Sequence, residues 1–155
     1  MIDKEELMNA LRTYFQDGDV FEIRVLDAIT YDYRREHVES GYFDYEHIDK
    51  VADDLSKLLS YRGAYVTVNP VNPDLLARAV NRLKPAGKTP TTSDVDILER
   101  RWLLIDCDAA RPAGVSSSDD EHSLALAKAQ EIKSGLASIG WSEPIMCDSG
   151  NGSQL

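Results

Sequence analysis

An apolar stretch, Leu104 and Ile105, runs into Asp106, Cys107 and Asp108. In an extended strand successive side chains point to opposite faces, so Asp106 and Asp108 project from one side and Cys107 from the other. Two like charges this close repel, and either a divalent cation or ample water must compensate them. Hard oxygen ligands at the end of a buried strand suit Mg²⁺ or Mn²⁺; a solvated strand end is the plainer use of the same residues. The second chemically suggestive segment is Asp148-Ser149-Gly150-Asn151-Gly152-Ser153-Gln154-Leu155. Glycines let a backbone approach an anion closely and turn its N–H groups toward it, and Ser149 or Ser153 can add a hydroxyl, so the turn is a candidate phosphate cradle. Alone, the pattern reads as a polar turn or a disordered C-terminus. Arg100 and Arg101, immediately before the carboxylate strand, are the nearest candidates for phosphate contact, although adjacent side chains cannot both face one cleft.

Together these segments resemble the catalytic core of the archaeo-eukaryotic primase superfamily, in its phage and plasmid primase-polymerase branch. Asp106 and Asp108 match the first motif, Asp-x-Asp at a strand end, and Ser149, Gly150 and Gly152 match the second, Ser-Gly-x-Gly-x-His. Gln154 stands at the His position. The surrounding text is also similar: Ser40-Gly41-Tyr42-Phe43-Asp44, Tyr65-Val66-Thr67-Val68-Asn69-Pro70, Arg101-Trp102-Leu103-Leu104-Ile105-Asp106 and Arg111-Pro112-Ala113-Gly114, with Asn69 and Arg78 at matching positions. The resemblance implies a partial RRM-like core and a nucleotidyltransferase acting in primer synthesis and DNA replication. It also implies nucleoside triphosphates and single-stranded DNA as partners. Asp106 and Asp108 would be the catalytic metal ligands, and Ser149, Gly150, Gly152, Gln154 and Arg101 the nucleotide contacts. In that family a third carboxylate on a later strand completes the metal site. The 155 residues are therefore expected to be the N-terminal part of such a domain, or a shortened relative, and inactive by themselves. Gln154 reinforces that expectation, since an amide donates a hydrogen bond but carries no positive charge and is no acid.

Charge sets a limit on nucleic-acid binding. The net charge is −10, whereas nucleic-acid binders present a basic face. Residues 1–60 sum to −8, 61–102 to +3 and 103–155 to −5, so the basic stretch directly precedes the carboxylate strand. An acidic surface that mimics nucleic acid or occupies a basic protein partner is the alternative use of this composition, on a primase-like remnant. With 155 residues and 43% apolar content the chain is expected to form a single domain. No apolar run approaches the roughly 20 residues that cross a bilayer, and Met1-Ile2-Asp3-Lys4-Glu5-Glu6 is no signal peptide, so no membrane partner and a cytoplasmic location are expected. Cys107 and Cys147 lack any Cys-x-x-Cys or Cys/His cluster and are expected to be reduced core residues. His37, His47 and His122 lack mutual metal spacing and read as surface histidines. The run Asp32-Tyr33-Arg34-Arg35-Glu36-His37 reads as a solvated hairpin, with base stacking as its functional alternative.

The elements that must position these residues alternate as α/β. Asp3 is placed to cap a first helix, with Glu6 three residues on, and Leu7, Leu11, Tyr14 and Phe15 recur at helical spacing until Asp17-Gly18-Asp19. Residues 20–25 alternate as a strand, leading into a loop or hairpin through Gly41. Ile48, Val51, Ala52, Leu55, Leu58 and Leu59 make an amphipathic helix that Gly63 breaks. Residues 64–68 read as a buried strand, 69–73 as a turn, 75–83 as a short helix entered at Pro73-Asp74 and 84–94 as a loop. Residues 102–106, apolar on both faces, predict a central strand under helices. Ser117 or Ser118 is expected to cap a helix over 119–139 that buries Leu124, Ala127, Ile132 and Leu136. A last strand over 144–148 should enter the glycine turn. The predicted fold is α/β, one mixed sheet with flanking helices, its exposed edge open to pairing with a second copy.

Overall fold

The computed structural model describes residues 3–112 and 114–155; Met1 and Ile2 of the N-terminal segment and Ala113 of the Arg111-to-Gly114 run lie outside the described residues. The chain is mixed α/β and divides into two compact units, Met1–Trp102 and Leu103–Leu155. Each has its own antiparallel sheet, in place of the single mixed sheet expected.

The first unit is built from α1 (Lys4–Tyr14), β1 (Val20–Ala28), β2 (His37–Asp44), α2 (Ile48–Ser56), β3 (Gly63–Val66) and β4 (Lys84–Pro85), with strands in the order β3-β1-β2-β4. Asp3 starts α1: its carboxylate accepts the N–H groups of Glu5 and Glu6, two donors that a helix start leaves unpaired. Ile48, Val51, Ala52 and Leu55 of α2 recur at i, i+3, i+4 and i+7, and all four are buried. They pack with Leu11 and Phe15 onto the sheet face made by Phe21, Ile23, Val25 and Phe43. Phe15 stacks on Phe21 with ring centroids 4.3 Å apart. Each such side chain contributes roughly 1.5–3 kcal/mol when fully buried, so this face holds the unit together.

Val20 and Tyr42 point to the opposite sheet face. There they meet Val71, Leu75 and Ala79 from the connection after β3. That connection holds a 3-10 turn at Pro73–Arg78, capped by Asn72, where a helix over 75–83 was predicted. β3 was expected to be buried, yet Ala64 and Tyr65 are exposed, because β3 is an edge strand paired only with β1. The hairpin after β1 is longer than alternation suggested: β2 pairs with β1 from Val20↔Asp44 to Ala28↔His37, through a register shift between Val25 and Ala28.

The second unit contains β5 (Asp106–Asp108), α3 (Asp119–Ser138), β6 (Cys147–Asp148) and β7 (Gly152–Gln154), in the order β5-β7-β6. The strand predicted over 102–106 begins only at Asp106 and lies at an edge. Leu103 and Leu104 are 61% and 53% exposed, so an apolar run here did not mean a covered central strand. Ser118 caps α3 in a reciprocal box, its hydroxyl accepting the Glu121 N–H while the Glu121 carboxylate accepts the Ser118 N–H and O–H. The buried face of α3 is Ala125 and Ala129; Leu124, expected inside, is 70% exposed, and Ala127 is exposed too. Small residues bury because α3 lies directly on β5 and β7. Cys107 is buried as expected, but Cys147 is exposed.

Candidate functional site

The second unit brings its two motif segments into one hydrogen-bonded sheet. Asp106 lies opposite Gln154, Cys107 opposite Ser153, and Asp108 opposite Gly152. Ile105 and Leu155 exchange two backbone hydrogen bonds of 2.9 Å. Antiparallel ladders alternate, so the Asp106/Gln154 and Asp108/Gly152 pairs are the non-hydrogen-bonded ones, with Cα atoms about 4.5 Å apart and side chains at their closest. Cys107 and Ser153 are buried on the helix-covered face. Asp106 and Asp108 therefore stand on the other face, both exposed, with Gln154 beside them and Cys147 one strand further on.

Gly152 is a glycine for a steric reason. A Cβ there would fall 2.5 Å from the Cys107 carbonyl oxygen and 2.8 Å from Asp108 Oδ1. Gly150 serves the turn instead: its φ is +77°, the positive value that glycine adopts freely at the first position of a two-residue hairpin loop. The N–H groups of this turn are already engaged. Gly150 donates to Asp148 Oδ1 at 2.8 Å, Gly152 to Ser149 Oγ at 3.1 Å and Asn151 to the same oxygen at 3.4 Å. In this conformation the Asp148 carboxylate occupies one donor that an incoming phosphate would take, and the Ser149 hydroxyl itself donates to the Gly152 carbonyl.

Several residues support the site in roles that the sequence did not assign to them. A ring nitrogen of His122, on α3, lies 2.8 Å from Asp148 Oδ1; the Gly150 N–H, and then His122, hold the Asp148 carboxyl below its ordinary range. Asn151 Oδ1 accepts the Ser117 N–H at 3.0 Å, tying the turn to the start of α3. Arg111 Nη2 lies 3.8 Å from Asp108 Oδ1, while its Nε is buried with no hydrogen-bond partner among the described residues. Arg111 thus offsets part of the charge of Asp108. The histidines read as surface groups all pair with carboxylates, His37 with Glu39, His47 with Asp44 and His122 with Asp148. The Gly150-Asn151 pair is itself a hairpin signal that could have located β7. Contacts such as His122 to Asp148, 26 positions apart, leave no local trace.

Arg101 belongs to the first unit and is committed there. Its guanidinium pairs with Asp19 and lies 3.5 Å from Glu99. Asn69 fastens the same segment, accepting the N–H groups of Arg101 and Trp102 at 2.8 Å each and donating to the Trp102 carbonyl at 3.0 Å. Trp102 in turn donates to the Tyr14 carbonyl and meets the Tyr14 ring edge-on. Arg78 donates to the Pro90 carbonyl. Asn69, Arg78 and Arg101 thus have structural employment, whereas Arg100 is exposed.

The donor set of the open face fits a hard divalent cation held loosely: two carboxylates about two residue rises apart, roughly 7 Å between Cα atoms, with water free to complete the shell. Among the described residues no group of three or more His, Cys, Asp and Glu side chains is placed to hold a metal ion, and no helix is long and apolar enough to cross a membrane. No family model, no curated protein and no solved structure matches the chain.

Proposed function

We propose that the second unit carries the metal-and-nucleotide face of a primase-polymerase-like nucleotidyltransferase domain, built on a partial RRM-like core and serving primer synthesis in DNA replication. The observation that supports this reading is the register: two segments more than forty positions apart pair so that Asp106 faces Gln154 and Asp108 faces Gly152. Asp106 and Asp108 are the residues that would hold Mg²⁺ or Mn²⁺. Bound there, the ion supplies charge neutralisation for a triphosphate and activation of an attacking 3′-hydroxyl. Gln154 offers its amide N–H to a phosphate oxygen, at neutral charge, where the resembling family has His. Ser149 and Gly150 shape the hairpin, and Gly152 lets β7 approach the two carboxylates.

Two carboxylates with Arg111 beside one of them bind a cation weakly, and weak placement costs a phosphoryl-transfer centre its geometry. These 155 residues are therefore inferred not to synthesise primers at a useful rate alone. Calorimetry with Mn²⁺ compares the native chain with the Asp106→Asn, Asp108→Asn double variant; heat lost in the variant supports the site, and equal heats remove it. A primer-synthesis assay with Mn²⁺, labelled nucleotides and single-stranded template runs alongside. Template-dependent product that vanishes in Asp106→Ala overturns the inactive reading and keeps the enzyme. The −8 charge of residues 1–60 favours a second reading, an acidic surface for a basic protein partner. Under that reading no product forms and association with the partner weakens steeply with salt.

A further inference from the structure

The sheet face opposite α1 and α2 is only partly covered, and beside β1 and β3 it leaves a cavity of about 540 Å³ lying wholly in the first unit. Its lining includes a charge pair, Glu22 with Arg24. Glu22, in the middle of β1, is only 1% exposed. Its carboxylate accepts from Arg24 Nε at 3.2 Å and Nη2 at 2.8 Å, from Ser40 Oγ at 2.6 Å and from the Thr92 N–H at 3.0 Å. Arg24 Nη2 also donates to the Thr92 carbonyl. The guanidinium is thereby locked in one orientation, and Nη1 keeps both its N–H groups without a partner among the described residues. Arg24 lines the cavity with its side chain 35% exposed.

The cavity also has a flat apolar wall. Tyr65 is the cross-strand neighbour of Arg24 on the same sheet face, and it is 55% exposed. Its ring lies back over Gly63, where a Cβ would fall 2.9–3.1 Å from the ring's Oη, Cε2 and Cζ atoms. Glycine at 63 is what lets the ring lie down along the strand, where it keeps over half of its surface exposed beside the cavity. Asp94 and Arg100, both exposed, complete the rim and enter no ion pair among the described residues. The four charged groups, Glu22, Arg24, Asp94 and Arg100, sum to zero. A neutral site with the oriented N–H groups of Arg24 Nη1, the exposed Asp94 carboxylate as acceptor and an aromatic platform suits a planar heterocycle bearing ring carbonyls and N–H groups better than it suits a free phosphate.

We propose that this cavity binds a nucleobase, stacked on Tyr65 with a ring carbonyl on Arg24 Nη1. The assignment rests on residues of the first unit alone, so it stands or falls separately from the Asp106 and Asp108 face. The test titrates the whole chain with guanosine, adenosine, cytidine and uridine, with ribose and inorganic phosphate as controls, following the Thr67 and Thr92 backbone amides by NMR. The expected result is saturable binding of guanosine, cytidine and uridine, with adenosine, which lacks a ring carbonyl, bound more weakly; the binding needs no metal, changes little with salt and persists in Asp106→Asn, Asp108→Asn. Tyr65→Phe keeps it, and Tyr65→Ala, at an exposed position that leaves the Glu22 network intact, weakens it roughly fivefold to 150-fold, the range of base–aromatic stacking. A short single-stranded oligonucleotide forms a further arm. Tighter, salt-dependent binding of the strand assigns the cavity to a base within a strand, and equal binding assigns it to a free nucleoside. The proposal is overturned if no nucleoside shifts these amides at millimolar concentration, if Tyr65→Ala binds as the native chain does, or if ribose or phosphate shifts them equally.

Discussion

Replacing Gly152 by alanine strikes the register on which the proposed site depends. The new Cβ would lie 2.5 Å from the Cys107 carbonyl oxygen, 2.8 Å from Asp108 Oδ1 and 3.2 Å from the Asp108 Cα. The Asp108 carboxylate can swing away, but the Cys107 carbonyl moves only with its strand. Carbon and oxygen tolerate an approach of about 3.3 Å, so β5 must retreat by roughly 0.8 Å. The Ile105 and Leu155 hydrogen bonds, 2.9 Å long, would stretch past the limit of useful bonding if the strands separated by that amount. Losing two of them at about 1 kcal/mol each gives a local cost of about 2 kcal/mol, within the range for overpacking. In native-state hydrogen exchange that is about a 30-fold loss of protection at the Ile105 and Leu155 amides. Mn²⁺ heat should fall as well, since Asp108 is displaced. Gly150→Ala is the comparator: its φ is +77° with no atom within 4 Å of the added Cβ, so it costs about 1–2 kcal/mol of backbone strain without moving β5. Unchanged protection in Gly152→Ala, or an equal effect from Gly150→Ala, would refute the close pairing of β5 with β7.

Glu22→Gln should destabilise the chain by about 2–3 kcal/mol near neutral pH, because Arg24 loses a partner that is almost wholly buried; urea unfolding measures it. Burial pushes the Glu22 carboxyl up, but hydrogen bonds from Arg24, Ser40 and Thr92 outweigh it and leave the group below its ordinary 4.5. Its contribution is therefore complete above pH 4.5 and is lost as pH falls through the lowered value, and the Gln variant should show a shallower acid transition. His37 runs the other way: burial pulls it down, yet the Arg35 carbonyl and Glu39 raise it above 6.5. Stability from this pair is complete below pH 6.5 and declines as pH rises through the raised value, a slope that His37→Gln should remove. Asn69→Ala, which deletes three hydrogen bonds to Arg101 and Trp102, should cost about 2–3 kcal/mol and shift Trp102 emission; an unaltered spectrum and midpoint would deny Asn69 its fastening role. Light scattering over a range of concentrations tests whether the edge strands β5 and β6 pair between copies, and a monomer at every concentration counts against it.

What could be read from the chain divides by the range of the interaction that decides it. Asp3, Ser118 and the spacing of Ile48, Val51, Ala52 and Leu55 act within one or two helical turns, so caps and the buried face of α2 were legible from neighbours alone. The face of α3 was legible only in part: Ile132 and Leu136 are half-buried, but apolar periodicity favours Leu124 whereas the helix that lies on β5 and β7 buries Ala125 and Ala129 fully. Edge or centre is likewise a property of partners: the apolar run before Asp106 and the residues of β3 look alike in sequence and differ from central strands only in what lies beside them. Glu22 is the sharpest case. Alternation assigns it to a polar face, and it lies on that face, but Ser40 and Thr92, 18 and 70 positions away, are what bury it. The candidate site was legible as two segments and not as one arrangement. Asp-x-Asp and Ser-Gly-x-Gly were visible singly, while their pairing depends on β7, which is too short to announce itself by alternation. Gly152 joins the two levels. Its lack of a side chain, read first as room for a phosphate, is required by the carbonyl of Cys107, so the same residue that resembles a nucleotide-binding motif also sets the spacing that puts Gln154 beside Asp106. A nucleotide contact at this turn would therefore inherit its geometry from the fold of the second unit, and any substitution that opens β5 from β7 should disturb metal and nucleotide binding together.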